Sequence, residues 1–247
     1  MAINWIESEI IEHTHWTDTL SSLRFKGDVL PYKAGQFTKI GLKIDNEIMS
    51  RPYSYVSAPQ DDYLEIVYVS VPGGILTPEL QKLTIGDKVL VMDKATGFFV
   101  MDEVPDGKNL WMLATGTGLG VFISLLRTED PWKRFEKIIL VHCTRFKNEL
   151  TYQDQIQSFN KKYSNQFTYI KSTTREEVEG CLDLRIPKGI ETHLFEEMTN
   201  VEINDSSQFM VCGNPNMIND TVELLNKSGL ERNRRSKPGN ITLEKYW

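Results

Sequence analysis

The sequence predicts a two-domain protein in which an antiparallel β-barrel precedes a doubly wound parallel α/β sheet. Residues 1–101 contain short alternating strands with frequent turns, a pattern typical of a small barrel. Residues 102–247 alternate continuous apolar runs with helical segments, which is typical of a parallel sheet with helices on both faces. The change between the two patterns falls in the polar stretch MDEVPDG at residues 101–107.

Strands of the first domain are recognised by alternating apolar and polar side chains, because successive side chains of a strand point to opposite faces. The predicted strands are residues 37–44, a strand that opens at Arg51, residues 64–71 and residues 88–92. Residues 76–83 are predicted to form a helix. Turn residues such as Asp45-Asn46 and Pro72-Gly73-Gly74 separate these segments, so the strands are short.

In the second domain, continuous apolar runs indicate strands that are buried on both faces, as in a parallel sheet. The predicted strands are residues 109–114, 137–142, 167–170 and 208–212. The predicted helices are residues 121–126, 150–163 and 215–226. This order of strands and helices is the basis for the predicted α/β architecture.

Composition and charge narrow the functional classes. Hydrophobic residues make up 40% of the chain and the mean hydropathy is −0.34. No run of about 20 apolar residues is present, so we expect no membrane-spanning helix. The net charge of −6 disfavours nucleic-acid binding, because the acidic surface would repel phosphate. The N-terminus MAINWIESEIIEH lacks the pattern of a signal peptide, which favours a cytoplasmic location.

Cysteine and histidine usage argues against a disulfide framework or a metal centre. Cys143, Cys181 and Cys212 are far apart and form no C-x-x-C pair. The four histidines form no H-E-x-x-H pair. His13 and His15 flank one position of a possible strand, and we expect both on the surface.

A glycine-rich turn follows the first strand of the second domain. It reads ATGTGLG over residues 114–120. Glycines between a strand and a helix allow backbone N–H groups to approach a pyrophosphate, and the helix N-terminus favours the negative charge. The strict G-x-G-x-x-G pattern fails at Val121, so the turn alone is also compatible with simple packing.

The next strand ends at Thr144-Arg145, where sites for NAD usually have an acidic residue that holds the ribose 2′-hydroxyl. An arginine there can bind a 2′-phosphate through paired, charge-assisted hydrogen bonds. Arg175 and Arg185 also lie just beyond strand-like runs. Each arginine alone is compatible with a surface salt bridge, but three at comparable positions favour NADP(H) over NAD(H).

Several motifs, in this order and spacing, resemble those of the ferredoxin/flavodoxin–NADP(+) reductase family, in particular its bacterial branch. They are AGQF at residues 34–37, RPYS at 51–54, GILT at 74–77, GFF at 97–99, ATGTGLG at 114–120, CGNP at 212–215 and the closing Tyr246-Trp247. The resemblance implies a six-stranded antiparallel β-barrel that binds FAD over residues 1–101. It also implies a doubly wound parallel α/β domain that binds NADP over residues 102–247.

The resemblance assigns flavin-binding roles to residues of the first domain. It implies that Arg51 pairs with the FAD pyrophosphate, Tyr53 lies against the isoalloxazine ring and Ser54 hydrogen-bonds near the flavin N5. Pro52 would stiffen the backbone before Tyr53. The other implied flavin contacts are Val67, Tyr68, Val69, Gly74, Ile75, Leu76 and Thr77, with Tyr246 stacked on the isoalloxazine and Trp247 on the adenine.

The resemblance also assigns nucleotide-binding and catalytic roles. Thr117 is implied to lie between flavin and nicotinamide, and Cys212 to approach the nicotinamide as it enters. Ser54, Cys212 and Glu244 are the residues expected to tune the hydride step, Glu244 by a carboxylate near the flavin. The implied contacts of NADP(H) include Thr144, Arg145, Thr174, Arg175 and Arg185 at the 2′-phosphate end, with Gly213 and Asn214 in the same site.

The implied activity is hydride transfer from NADPH to flavin N5, followed by one-electron transfer to an acidic ferredoxin or flavodoxin. Between Lys227 and Lys237 five cations accompany the single Glu231, which fits either a docking patch for that carrier or a solvated loop. Lys33 and Lys39 are further candidates for steering the carrier. An NADPH-dependent flavin reductase of the same superfamily and a non-catalytic interaction module are the alternatives. The resemblance favours a monomer.

Overall fold

The computed structural model describes residues 4–245, so the predicted roles of Tyr246 and Trp247 lie outside the described residues. The chain divides into two compact units. The first unit comprises Met1–Val100 and Ile123–Thr128, and the second comprises Met101–Phe122 and Glu129–Trp247.

The first unit is built on six antiparallel strands. They are β1 (Trp5–His15), β2 (Leu20–Lys26), β3 (Phe37–Ile44), β4 (Glu47–Ser54), β5 (Leu64–Val69) and β6 (Lys88–Met92), and the helix α1 is Thr77–Lys82. The strand order is β4-β3-β6-β1-β2-β5. Just beyond β4, Tyr55 pairs with Ile66 of β5, and the Val56 amide donates to the Glu65 carbonyl at 2.8 Å. The two edge strands therefore meet, and the predicted six-stranded antiparallel barrel is confirmed.

Alternating side chains fill the interior of the barrel. Leu23, Phe25 and Ile66 are fully buried in one apolar cluster together with Ile10 of β1. The sequence patterns did not predict β1, because its pairing register shifts between Ile10 and Glu12. A bulge of this kind breaks the period-two alternation on which strand prediction depends.

The second unit is built on five parallel strands. They are β7 (Asn109–Thr115), β8 (Lys137–Thr144), β9 (Phe167–Thr173), β10 (Ser207–Gly213) and β11 (Ile241–Lys245). The α-helices that follow β7 in the chain are α2 (Leu119–Leu126), whose second half belongs to the first unit, α3 (Asp130–Arg134), α4 (Gln153–Lys162), α5 (Ile186–Glu191), α6 (Leu194–Thr199) and α7 (Pro215–Lys227). All neighbouring strands run parallel in the order β11-β10-β7-β8-β9, so the predicted doubly wound parallel sheet is confirmed.

The winding of the sheet reverses at β7. From β7 the chain proceeds outward through β8 and β9, and it then returns to the other side of β7 with β10 and β11. The carboxyl ends of β7 and β10 therefore flank a topological switch point. Open α/β sheets bind their ligands in the crevice at such a point.

Burial explains which elements the sequence predicted well. Strands β8 and β10 are buried along nearly their whole length, which produces continuous apolar runs. Helix α4 was predicted from residue 150 but begins at Gln153, because Tyr152 has a left-handed φ of 58°. Within residues 4–245, no helix is long and apolar enough to cross a membrane.

Candidate functional site

The carboxyl ends of β7 and β10 approach so closely that only glycine fits at two positions. A Cβ added to Gly118 would lie 2.7 Å from the carbonyl oxygen of Cys212. A Cβ added to Gly213, whose φ is +130°, would lie 2.2 Å from Thr115 Oγ1. The Thr115 hydroxyl also accepts a hydrogen bond from the Asn214 amide at 2.8 Å. The predicted glycine turn and the predicted residues 212–214 therefore lie side by side at the switch point.

Gly116 gives the turn an open stretch of backbone. Its φ of +53° is a left-handed conformation that glycine adopts readily, and an added Cβ would meet no atom within 4 Å. Its carbonyl oxygen accepts a hydrogen bond from the amide of Leu119, the first residue of α2. No neighbouring side chain fills this space, so the backbone is accessible to a pyrophosphate at the start of a helix.

His142 of β8 supports this turn from within the sheet. Its Nε2 lies 3.0 Å from the Gly116 carbonyl oxygen, and the side chain is fully buried. Burial lowers the pKa of His142 to about 4, although the hydrogen bond to Gly116 acts in the opposite direction. The imidazole is therefore neutral near pH 7, and Nε2 carries its proton because a carbonyl oxygen only accepts.

Backbone hydrogen bonds join the predicted 2′-phosphate residues at the carboxyl ends of β8 and β9. The Thr174 amide and hydroxyl donate to the Thr144 carbonyl oxygen at 3.1 and 3.2 Å. The Arg175 amide donates to the Arg145 carbonyl oxygen at 3.0 Å. Residues that are 30 positions apart in the chain thus share one edge of the sheet.

Arg185 immediately precedes α5 and is held near the same strand end. The Ser172 hydroxyl of β9 donates to the Leu184 carbonyl oxygen, and Ser172 also pairs with Leu182. Arg175 and Arg185 are both exposed, and neither forms an ion pair with another described residue. Their guanidinium groups are therefore available to a phosphate dianion.

Arg145 differs from the other two arginines because Glu149 engages its guanidinium. Nε of Arg145 donates to Glu149 Oε1 at 3.0 Å. The backbone amides of Arg145 and Phe146 donate to Glu149 Oε2 at 2.9 and 3.3 Å. Since a phosphate would have to share this guanidinium with a carboxylate, we expect Arg145 to contribute less to phosphate binding than Arg175 or Arg185.

The barrel brings together two of the predicted flavin-binding segments. Residues 51–54 end β4, and residues 67–69 end β5. The rings of Tyr53 and Tyr68 meet edge to face, with centroids 6.4 Å apart. Burial raises the pKa of Tyr53 to about 12, so its phenol is neutral at physiological pH. Arg51 is exposed beside it on the same strand.

The third predicted flavin-binding segment is tied to the chain that follows β5. The Thr77 hydroxyl accepts a hydrogen bond from the Val71 amide at 2.9 Å, and the Gly74 amide donates to the Val71 carbonyl at 2.9 Å. Among the described residues, no side chain caps the N-terminus of α1, which begins at Thr77. In this first turn Pro78 has no N–H and the Glu79 amide donates to the Leu76 carbonyl oxygen at 3.1 Å, so the Thr77 amide is the first-turn donor left for a phosphate group.

A polar network surrounds the hydroxyl of Tyr68. His13 Nε2 lies 3.1 Å from this hydroxyl, and His13 Nδ1 lies 2.7 Å from the Leu83 carbonyl oxygen. Gln81 contacts the same hydroxyl at 3.3 Å and His15 Nδ1 at 2.9 Å. Desolvation lowers the pKa of the half-buried His13. The expectation that both histidines are surface residues is therefore wrong for His13.

Two domain families match the chain, one in each half. The family described as Oxidoreductase FAD-binding domain matches residues 8–96. The family described as Oxidoreductase NAD-binding domain matches residues 112–223. The first match falls on the barrel and the second on the parallel sheet.

Full-length relatives decide the family. The chain is 42% identical to a flavodoxin/ferredoxin–NADP reductase from Shigella flexneri and 41% identical to one from Escherichia coli strain K12, with 99% of each chain covered in both cases. The chain belongs to the flavodoxin/ferredoxin–NADP reductase family. A crystal structure of a ferredoxin NADP+ reductase from Neisseria gonorrhoeae with bound FAD and NADP matches it with a TM-score of 0.94, at 31% identity and covering 100% of both chains. The resemblance indicated by the motifs is confirmed.

The remaining predicted residues of this reductase have clear places in the fold. Thr117 lies in the glycine turn, and Cys212 is fully buried near the end of β10. Glu244 of β11 lies opposite Cys212 in the strand register. Ser54 is buried at the end of β4, in the other unit.

The sequence did not reveal three residues that shape the candidate site. His142 and Thr115 fix the glycine turn and the end of β10, and both lie in strands whose continuous burial hides the orientation of single side chains. The pairing of Glu149 with Arg145 could have been predicted from the sequence, because Glu149 lies four residues after Arg145, a spacing at which opposite charges often pair.

Acidification is expected to destabilise the reductase through His142. The unfolded chain binds a proton at this side chain below its ordinary pKa of 6.5, whereas the native protein does so only near pH 4. The free energy of unfolding should therefore fall as the pH drops from 6.5 to 4, by roughly 3 kcal/mol from this group alone. Urea unfolding at both ends of this range measures the loss, and His142→Gln, which does not titrate, should lose correspondingly less. An equal loss in both proteins would contradict this assignment.

Proposed function

We propose that this reductase transfers electrons between NADPH and a one-electron carrier protein, ferredoxin or flavodoxin, with FAD as its bound cofactor. The observation that carries the proposal is the placement of Arg145, Arg175 and Arg185 around the carboxyl ends of β8 and β9, in a chain of the reductase family. Guanidinium groups there suit the 2′-phosphate that distinguishes NADPH from NADH. Residues 1–101 are the FAD domain and residues 102–247 the NADP domain of this proposal.

The barrel residues suit FAD by their chemistry. Arg51 provides a guanidinium for the pyrophosphate, and Thr77 at the start of α1 provides a backbone amide. Tyr53 provides a neutral aromatic ring, and the Ser54 hydroxyl provides a hydrogen bond near the reactive nitrogen. Further contacts to FAD are assigned to Pro52, Val67, Tyr68, Val69, Gly74, Ile75, Leu76 and Thr77. When bound, FAD supplies the redox chemistry, since it accepts two electrons together and releases them singly.

The parallel sheet supplies the residues for NADP(H). The 2′-phosphate end is assigned to Thr144, Arg145, Thr174, Arg175 and Arg185. The nicotinamide end is assigned to Thr117, Cys212 and Gly213 at the switch point, where Gly118 of the turn approaches Cys212 and Gly213. Asn214 caps α7 by accepting hydrogen bonds from the amides of Asn216 and Met217, which fixes the chain after β10. Glu244 is assigned the role of tuning the hydride-transfer step through its carboxylate.

The basic loop at residues 227–237 is the proposed docking surface for the acidic carrier. Three of its cations are already paired, Lys227 with Glu223, Arg235 with Glu103, and Lys237 with Glu231. Arg232 and Arg234 are exposed and form no ion pair with a described residue, so they are the cations best able to attract a carrier. We assign the enzyme to the cytoplasm as a monomer, and its free thiols at Cys143, Cys181 and Cys212 suit a reducing compartment.

Arg234→Glu is expected to slow electron transfer to ferredoxin or flavodoxin by about 3- to 10-fold at low ionic strength, because rim charges act mainly on the association rate. The difference should shrink at high ionic strength. Lys161→Glu, an equal charge reversal on the exposed face of α4, is the matched control and should leave the rate unchanged. Equal effects of the two substitutions would show that net charge, rather than this loop, governs docking.

The test of the proposed function compares electron acceptors. With NADPH in excess, the protein should reduce ferredoxin or flavodoxin faster than free flavin, and only the reaction with the carrier protein should slow as salt is added. Faster reduction of free flavin, with no salt dependence, would favour the flavin reductase alternative. A purified protein that binds no FAD would favour a non-catalytic interaction module.

A further inference from the structure

One side-chain hydrogen bond joins β8 to the glycine turn of the proposed nucleotide site. His142 Nε2 lies 3.0 Å from the Gly116 carbonyl oxygen. Because the carbonyl can only accept, Nε2 donates the proton and Nδ1 is left as an acceptor. Nδ1 is buried and has no hydrogen-bond partner within residues 4–245.

Packing alone does not account for an imidazole at this position. The side chain is fully buried, and an unpaired buried nitrogen destabilises a fold relative to an apolar group of similar size. The adjacent residues Val141 and Cys143 are also buried, but their side chains contain no nitrogen that needs a hydrogen-bond partner. The one polar contact that the ring makes is the hydrogen bond to Gly116, so the role of His142 lies in that contact.

The hydrogen bond controls the orientation of a whole peptide unit. The Gly116 carbonyl and the Thr117 amide belong to one planar peptide, and no described peptide bond is cis. In a trans peptide the C=O and N–H groups point in opposite directions, so a donor that holds the carbonyl also directs the Thr117 N–H. Glycine, here at φ +53°, changes its backbone conformation at little cost, so the His142 hydrogen bond adds to the restraint that the Leu119 amide places on the same carbonyl.

We infer that His142 is a positioning residue of the NADP(H) site, whose Nε2–H holds the Gly116–Thr117 peptide in the orientation that receives the nicotinamide half of the nucleotide. The inference rests on the proposed function, because it takes the glycine turn as part of that site. His142 acts on the turn, whereas Arg175 and Arg185 act on the 2′-phosphate. Loss of the His142 hydrogen bond therefore lowers the affinities for NADP(H) and NAD(H) by the same factor and leaves the preference between them unchanged.

The test measures ligand dissociation constants of the FAD-loaded protein and of its His142→Leu and His142→Gln variants. NADP+ is compared with 2′-phospho-AMP, which carries the 2′-phosphate but lacks the nicotinamide half. His142→Leu should weaken NADP+ binding by about 10-fold, the effect of one lost hydrogen bond, because the Leu119 amide still holds the same carbonyl. Binding of 2′-phospho-AMP should not change. His142→Gln, whose amide nitrogen replaces Nε2 as donor, should recover most of the NADP+ affinity.

Controls separate this role from a general loss of stability. Ser207→Ala removes a buried hydroxyl at the opposite, amino-terminal end of β10 and should leave NADP+ affinity unchanged. Equal weakening of NADP+ and 2′-phospho-AMP by His142→Leu, or no weakening of either, would overturn the inference. If the leucine variant does not fold, His142→Asn replaces it, since its shorter side chain keeps polarity without reaching Gly116. In that case, the inference would be overturned if His142→Asn and His142→Gln bound NADP+ with equal affinity. Failure of the unsubstituted protein to bind NADP+ would instead refute the proposed function.

Discussion

Replacing Arg175 or Arg185 with alanine is expected to lower kcat/KM for NADPH by about 10- to 100-fold, because each guanidinium would lose charge-assisted hydrogen bonds to the 2′-phosphate. Both side chains are exposed and form no ion pair with described residues, so no carboxylate among these residues competes with the phosphate for their guanidinium groups. The kcat/KM for NADH, which lacks this phosphate, should change little. Steady-state kinetics with the two nucleotides measures the change in preference.

Arg145 provides an internal comparison for this prediction. Because Glu149 already binds its guanidinium, Arg145→Ala should reduce the preference for NADPH less than either of the other two substitutions. Lys161→Ala, which removes one positive charge at an exposed site of α4, is the control for lost positive charge. If all three arginine variants lost activity with NADPH and NADH equally, the 2′-phosphate assignment would be wrong.

Gly213→Ala is expected to weaken nucleotide binding severely and to destabilise the protein. The new Cβ would overlap Thr115 Oγ1 at 2.2 Å, and φ at this position is +130°. Overpacking together with backbone strain should lower the free energy of unfolding by roughly 2–4 kcal/mol. The displaced end of β10 should also raise the NADP+ dissociation constant by at least about 100-fold, as expected when site geometry shifts by an ångström. Urea unfolding and a NADP+ titration measure the two effects.

Gly229→Ala is the matched control for this substitution. Gly229 also has a positive φ, +83°, but an added Cβ there would meet no atom within 4 Å. It should cost about 1 kcal/mol through strain alone and leave nucleotide affinity unchanged. If both variants bound NADP+ as the unsubstituted protein does, the close contact between the ends of β7 and β10 would have no role in binding.

The sequence predicted those parts of the fold where burial is regular. Strands β8 and β10 are buried on both faces and therefore appear as continuous apolar runs, and the turn that follows β7 is marked by its glycines. Strand β1 was not predicted, because the bulge at Ile10–Glu12 interrupts its alternation. The start of α4 was misplaced, because the left-handed conformation of Tyr152 leaves no signal in the side-chain pattern.

Positions in the candidate site were predictable for residues that come directly after the carboxyl ends of strands. Arg145 and Arg175 were predicted to lie at one edge because parallel strands end at a common edge, and a backbone hydrogen bond between these two residues shows that they do. Supporting residues were harder to identify. His142 and Thr115 act through the direction of single side chains at a close approach of two strands, which depends on the folded register and not on local sequence.

The most direct test of the account is the absorption spectrum of the purified protein, recorded anaerobically before and after addition of NADPH or NADH. The flavin bands should bleach rapidly with NADPH and slowly with NADH, because FAD is bound and Arg175 and Arg185 select the 2′-phosphate. Equal bleaching by both nucleotides would contradict the selection for NADPH. A colourless protein that cannot be reconstituted with FAD would contradict the account as a whole.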